Sequence, residues 1–242
     1  MTVARIVSCA CLTMLAACNA PQTEHQAVSP QACEDAITAY GSPSALKAEP
    51  GMIAVSLADV PRPDTAIGYG PSAGYREELT LVNGAWHIAR ATGLDTVEVK
   101  TVPADDAGAV FFVSAAPQAW SVRPVGKTIT SMAELESMLA ESAAASGCPS
   151  SAVPFRLSGT ISDADWSVVG QPDGAHGKIA SADVTLVGIY DPFDHDRYFM
   201  PAGRTLHVHM ATEDGKISGH LSSFSTLEGG LFSLPAHPEP SE

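Results

Sequence analysis

Leu206-His207-Val208-His209-Met210-Ala211-Thr212-Glu213-Asp214-Gly215-Lys216-Ile217-Ser218-Gly219-His220 is the stretch whose reading decides the fold. Apolar and polar residues alternate from 206 to 210, the mark of a strand with two unlike faces. His207 and His209 share one face; Leu206, Val208 and Met210 share the other. Asp214-Gly215 is a two-residue type I′ turn signal. A loop there sets His209 opposite His220, and directly opposed residues lie about 5 Å apart on one face. A slip of one residue would turn His220 to the other side. The three imidazoles therefore converge on one face of a β-hairpin. Three histidines with an open fourth position make the pattern of a catalytic metal site, zinc above all.

Strand signals extend outward from this hairpin. Residues 79–82 and 86–89 flank Asn83-Gly84, a second hairpin signal. Residues 52–57, 97–102, 109–115, 121–125, 155–161, 184–189, 206–212 and 217–224 also read as extended, and the polar, glycine-containing stretch 164–182 reads as loop. Residues 131–146 predict the clearest helix: Ser131 and Glu134 form a capping-box pattern, Met132, Leu135, Met138 and Leu139 make an apolar stripe, and Gly147 stops it. Ser29-Pro30 predicts a shorter helix ending at Gly41. Strands outnumber helices, which gives an α+β class. The 20 glycines and 18 prolines fit many turns, and a 45% hydrophobic content is enough for a core. No repeat or linker divides the chain, so residues 29–235 read as one domain, followed by a loose tail, 236–242.

The N-terminus reads differently. Residues 6–17 are apolar, too short to span a bilayer and the length of a signal-peptide core. They lead into Leu15-Ala16-Ala17-Cys18, similar to a bacterial lipobox, which implies a signal peptide over 1–17, lipid on Cys18, a tether over 18–28 and an extracytoplasmic, membrane-anchored protein. The alternative is secretory cleavage after Ala20; export follows either way. Only Cys33 and Cys148 remain in the folded part, a pair that reads as one disulfide or as two buried thiols. With 27 acidic against 13 basic side chains, a net charge of −14 and no basic run, nucleic acid is excluded as a partner. His195 reads as a solvated loop residue, His25 and His237 lie in loose ends, and His87 and His176 show no partner in the sequence.

The histidine segment resembles the α-acetolactate decarboxylases. That family carries a His-x-His, an acidic Glu/Ser-Asp region and a Gly-His at the spacing of His207-Val208-His209, Glu213-Asp214 and Gly219-His220. Leu186 through Pro192, and Pro201-Ala202-Gly203, resemble the segments before its histidines. Glu78-Leu79, Asn83-Gly84 and Trp86-His87 are similar to the segment holding its active-site glutamate. The likeness runs over residues 65–225. It implies strand-rich mixed or antiparallel sheets, two or three short helices, two similar β-rich halves and a homodimer. It further implies Zn2+ on His207, His209 and His220, Glu78 (or, with a shift of one, Glu77) as the acid, and conversion of 2-acetolactate, a small 2-hydroxy-3-oxo acid, to acetoin and CO2.

Two departures stand out. The family's active-site arginine would fall around Trp166-Ser167-Val168, where there is none; Arg156 is ten residues early. Arg204, three residues before His207, either reaches the site or is an ordinary exposed arginine. The family's C-terminal glutamate has no clear match in Glu228 or Glu239. These departures leave two other readings open, a different zinc-dependent chemistry such as ester hydrolysis, and a non-catalytic metal-binding lipoprotein on the same fold.

Overall fold

The computed structural model describes residues 33–193 and 197–236. The readings of Cys18, the signal, the tether, Ser29-Pro30, His195 and Glu239 lie outside them. In chain order the elements are β1 (Ile37–Tyr40), α1 (Pro43–Ala48), β2 (Val55–Ser56), β3 (Ile67–Pro71), β4 (Glu78–Val82), β5 (Ala85–Ala91), β6 (Val97–Lys100), β7 (Gly108–Ala109), β8 (Phe112–Ala115), β9 (Trp120–Pro124), α2 (Met132–Ala145), β10 (Val153–Val168), β11 (Ala175–Tyr190), β12 (Leu206–Thr212), β13 (Ser218–Ser223) and β14 (Thr226–Pro235). They build two six-stranded antiparallel sheets, in the orders β1-β8-β3-β4-β5-β6 and β11-β12-β13-β10-β14-β9, with a small β2–β7 pair beside them. In the second sheet β11 also pairs with β10, so β10, β11, β12 and β13 close into a ring. Among the described residues no helix is long and apolar enough to cross a membrane.

Alternation along the strands creates three apolar layers. Leu206, Val208 and Met210 face the largest one, which lies under α2. Val187, Ile189 and Ala211 face a second layer with Ile67, Tyr69 and Val113, and this is the seam between the two sheets. Leu79, Leu81, Trp86 and Phe112 fill a third, on the far face of the first sheet. The predicted helix is present, its N-cap Ser131 accepting from Glu134 N at 3.2 Å. At its other end Cys148 N reaches Ala143 O and Gly147 N reaches Ala144 O, a Schellman closure around Gly147 at φ +81°. Asn83 and Gly84 sit at φ +50° and +76°, as a type I′ turn requires.

Three expectations need correction. Residues 37–40 are strand, pairing with β8 at the sheet edge; the Ser-Pro cap signal operates one step later, where Ser42 caps α1 with Pro43 in its first turn. Only residues 55–56 of the 52–57 run are strand, because Ser56 caps a 3-10 turn over Leu57–Asp59. Most of 164–182 is not loop: β10 and β11 form one long hairpin that runs through Val168 and Ala175. Its polar residues occupy an outer face, while Ala164, Trp166, Val168, Ala175 and Ile179 are buried on the inner one. Cys33 and Cys148 form a disulfide across 115 residues of sequence, a closure that chain entropy values at about 5 kcal/mol.

Candidate metal centre

Strands β12 and β13 pair His209 with His220, Met210 with Gly219 and Ala211 with Ser218. The turn is wider than Asp-Gly alone. Thr212 and Ile217 make the last pair, and Asp214 accepts from the Thr212 hydroxyl and the Lys216 amide inside the loop. A wider loop about the same centre leaves the register intact. Gly219 is required by the neighbouring strand: at φ +151°, a Cβ there would lie 2.5 Å from the Ser167 carbonyl. That close approach is what brings His220 level with Ser167 on β10.

The ring centres of His207, His209 and His220 lie 5.2, 5.1 and 6.0 Å apart. His207 is 6% exposed and His209 1%. Burial holds both below the usual imidazole range, His207 at about 3, with the neighbouring imidazoles adding to the effect. His220 is lowered by burial first and then by the Arg204 charge. Each shift favours the neutral imidazole, the form that donates a lone pair to a metal. His207 Nδ1 donates to the Phe199 carbonyl at 2.7 Å, and His209 Nδ1 lies 3.0 Å from the Thr80 hydroxyl. These bonds occupy one nitrogen of each ring and leave Nε2 for another partner.

Glu78 comes from the opposite sheet. On β4, Glu78, Thr80 and Val82 share the seam face, and Leu79 and Leu81 the other. The Glu78 carboxylate, 5% exposed, lies 3.6 Å from His209 Nε2 and accepts from Val169 N at 3.0 Å. Burial raises its carboxyl to about 7 against the opposing pull of that amide. Glu77 points away and binds Arg90 at 2.6 Å, so Glu78 is the carboxylate beside the histidines.

Several residues at the site were not singled out from the sequence. Tyr69, fully buried, flanks His207 and His209 with ring centres 4.2 and 5.3 Å away and donates to the Tyr198 carbonyl at 2.7 Å. Thr80 and Phe199 orient two histidines. His87, opposite Thr80 across β4–β5, is lowered by burial and feels the charge of Glu213. Tyr69, Thr80 and His87 had the period-two alternation of β3, β4 and β5 as an advance signal, and His87 also the Trp86-His87 likeness; Phe199, between β11 and β12, had none. Arg204 is half-buried and close enough to act on His220 electrostatically. Arg156 is used elsewhere, bonding the Asn83 side chain and lying over the Trp120 ring. Trp166 and Val168, where the resemblance puts an arginine, are core residues. Glu228 is exposed, accepts from Thr128, and pairs with Thr160, seven positions along β10 from Ser167.

The donor set fits a metal. Tetrahedral zinc on imidazole nitrogens at about 2 Å sets ring centres about 5 Å apart, close to the separations seen. As they stand, no three His, Cys, Asp or Glu among the described residues reach ligating geometry; the 6.0 Å edge between His209 and His220 is the open one.

Two antiparallel six-stranded sheets in these strand orders make an architecture already known. It is the fold of the acetolactate decarboxylases. Acetolactate decarboxylase from Bacillus subtilis subspecies spizizenii matches with a TM-score of 0.65 at 16% identity, over 82% of this chain and 85% of that one. The α-acetolactate decarboxylase of Bacillus subtilis strain 168 matches at 0.64 and 15%, over 82% and 85%. A Staphylococcus aureus protein of unknown function, described as similar to α-acetolactate decarboxylase, matches at 0.64 and 12%, over 82% and 84%. No family model and no curated protein matches the chain.

Proposed function

We propose that the chain is a zinc-dependent decarboxylase acting on 2-acetolactate or a close 2-hydroxy-3-oxo acid, giving acetoin and CO2. The observation that carries this reading is the buried Glu78 carboxyl beside His209, in a histidine triad on this fold. His207, His209 and His220 would hold the zinc. Bound there, it would supply Lewis-acid stabilisation for the electron pair released when CO2 leaves a β-keto acid. Glu78 is the acid that returns a proton to that carbon. The Thr80 hydroxyl and the Phe199 carbonyl fix two ring planes, and Tyr69 walls the site from solvent on the seam side. Arg204, whose charge acts on His220, would be the cation that attracts a substrate carboxylate. Purified protein loaded with zinc and given racemic 2-acetolactate should release acetoin, and His209→Ala should not; no acetoin from the zinc-loaded wild type rejects the reading.

The apolar Trp166 and Val168 at the place of the family's arginine favour a second reading, hydrolysis of an ester that carries no carboxylate. Turnover of activated esters, abolished by chelator and absent with 2-acetolactate, would select it. Zinc binding with no turnover of either substrate class would leave the site a metal-binding module. Lipid on Cys18 would place the enzyme on the outer side of a membrane, and radiolabelled palmitate incorporation lost in Cys18→Ser tests that anchor.

A further inference from the structure

Phe199 stands at φ +58°. A bulky side chain keeps that left-handed conformation only where its surroundings hold it, and here the carbonyl it aims is the acceptor for His207 Nδ1. Its own ring packs against Phe111 with centres 5.5 Å apart, and the polar holding contacts fall on the preceding residues. Tyr198 is pinned at both ends: its carbonyl accepts from the Tyr69 hydroxyl at 2.7 Å, and its own hydroxyl donates to Glu34 at 3.3 Å. Arg197 donates to the same Glu34 oxygen at 2.8 Å. The other Glu34 oxygen accepts from Ala152 N at 3.2 Å, at the start of β10. Glu34 is next in the chain to Cys33, which is bonded to Cys148 just past the end of α2. One continuous path therefore runs from the disulfide through Glu34 and Tyr198 to the carbonyl that orients His207.

We propose that Glu34 is a positioning residue for the histidine site and that the Cys33–Cys148 disulfide keeps it in place. The proposal rests on reading the three histidines as the zinc site, so one arm of its test needs no metal. Ala36 stays tied to Ala116 through its carbonyl, while loss of the crosslink removes the covalent hold beside Glu34, and Glu34 leaves Arg197 and Tyr198. The Phe199 backbone then relaxes from its left-handed conformation, and His207 loses the acceptor that sets its ring plane. The chemistry of the switch is ordinary exchange: a dithiol gives two electrons and two protons to the disulfide, becomes a cyclic disulfide itself, and leaves two thiols.

The test compares the whole chain in three forms: oxidised wild type, dithiothreitol-reduced wild type, and oxidised Glu34→Ala, with Tyr198→Phe as a milder variant. In metal-free protein, nitrogen-15 spectra follow solvent exchange of the His207 Nδ1 proton. Exchange should be slow in the oxidised wild type and at least about ten-fold faster after reduction and in Glu34→Ala, with the amides of Leu79 and Leu81 unchanged in the variant and reoxidation restoring the slow rate. In the second arm, chelator competition should show zinc affinity falling about ten-fold in the same two forms, the low end for an outer-shell partner. Wild-type exchange in Glu34→Ala, or faster exchange spread evenly over the core amides, overturns the proposal and leaves the disulfide a plain staple. Should Glu34→Ala fail to fold, reduction and Tyr198→Phe decide by the same criterion. Absence of zinc binding in the oxidised wild type counts against the proposed function alone, since the first arm still decides the positioning role.

Discussion

The two sheets contribute to the site in different ways. The second sheet supplies all three imidazoles from one hairpin, within residues 207–220. The first supplies Glu78, Thr80 and Tyr69 from β3 and β4, and the Thr80 hydroxyl reaches His209 across 129 residues of sequence. The histidine half needs only a strand, a turn and a register. The carboxyl half needs two sheets to meet with the correct faces inward. Metal binding and proton delivery should therefore be separable by mutation: loss of an imidazole from β12 or β13 should remove the metal, and loss of the Glu78 carboxyl from β4 should remove the chemistry while the metal stays.

The largest effect is expected on the hairpin side. His209→Ala should lose stoichiometric zinc and all acetoin release, read by elemental analysis and product assay. Next comes Glu78→Gln, with kcat lower by about 100- to 10,000-fold, the range for a lost general acid. Thr80→Val removes the hydroxyl beside His209 Nδ1 and should weaken zinc binding by about 10- to 100-fold; unchanged affinity would make Thr80 a packing residue only. Gly219→Ala drives a Cβ toward the Ser167 carbonyl and should cost about 1–3 kcal/mol in denaturant unfolding, with His220 displaced. The smallest effect lies at the helix cap, away from the comparison. The hydrogen bond from Lys127, followed by those from Thr130, depresses the Glu134 carboxyl to about 2 from 4.5. A depressed carboxyl stabilises the fold above its unfolded pKa and loses that contribution as pH falls through its folded one. The stability gap between wild type and Glu134→Gln should therefore be full above pH 4.5 and close toward pH 2.

The same contrast explains what the sequence disclosed. The pairing of His209 with His220 was legible because alternation and a turn centre fix it locally, and it survives a turn two residues wider than Asp-Gly implies. Glu78 was legible only through resemblance; its separation from Glu77 required knowing which face of β4 meets the other sheet. Tyr69, Thr80 and Phe199 were not legible, because their roles exist only at the seam. The β10–β11 hairpin was hidden by its polar outer face and glycines, although Ala164, Trp166 and Val168 already alternate. The β1 strand was masked by a Ser-Pro signal that recurs at Ser42-Pro43, where it does cap a helix.

The division of labour between the sheets comes down to one preparation of Glu78→Gln, assayed for bound zinc and for acetoin release from 2-acetolactate beside the wild type. Zinc should remain stoichiometric in both while acetoin release falls at least about 100-fold in the variant. Zinc lost together with activity, or acetoin released at the wild-type rate, would contradict the assignment of Glu78 as the acid.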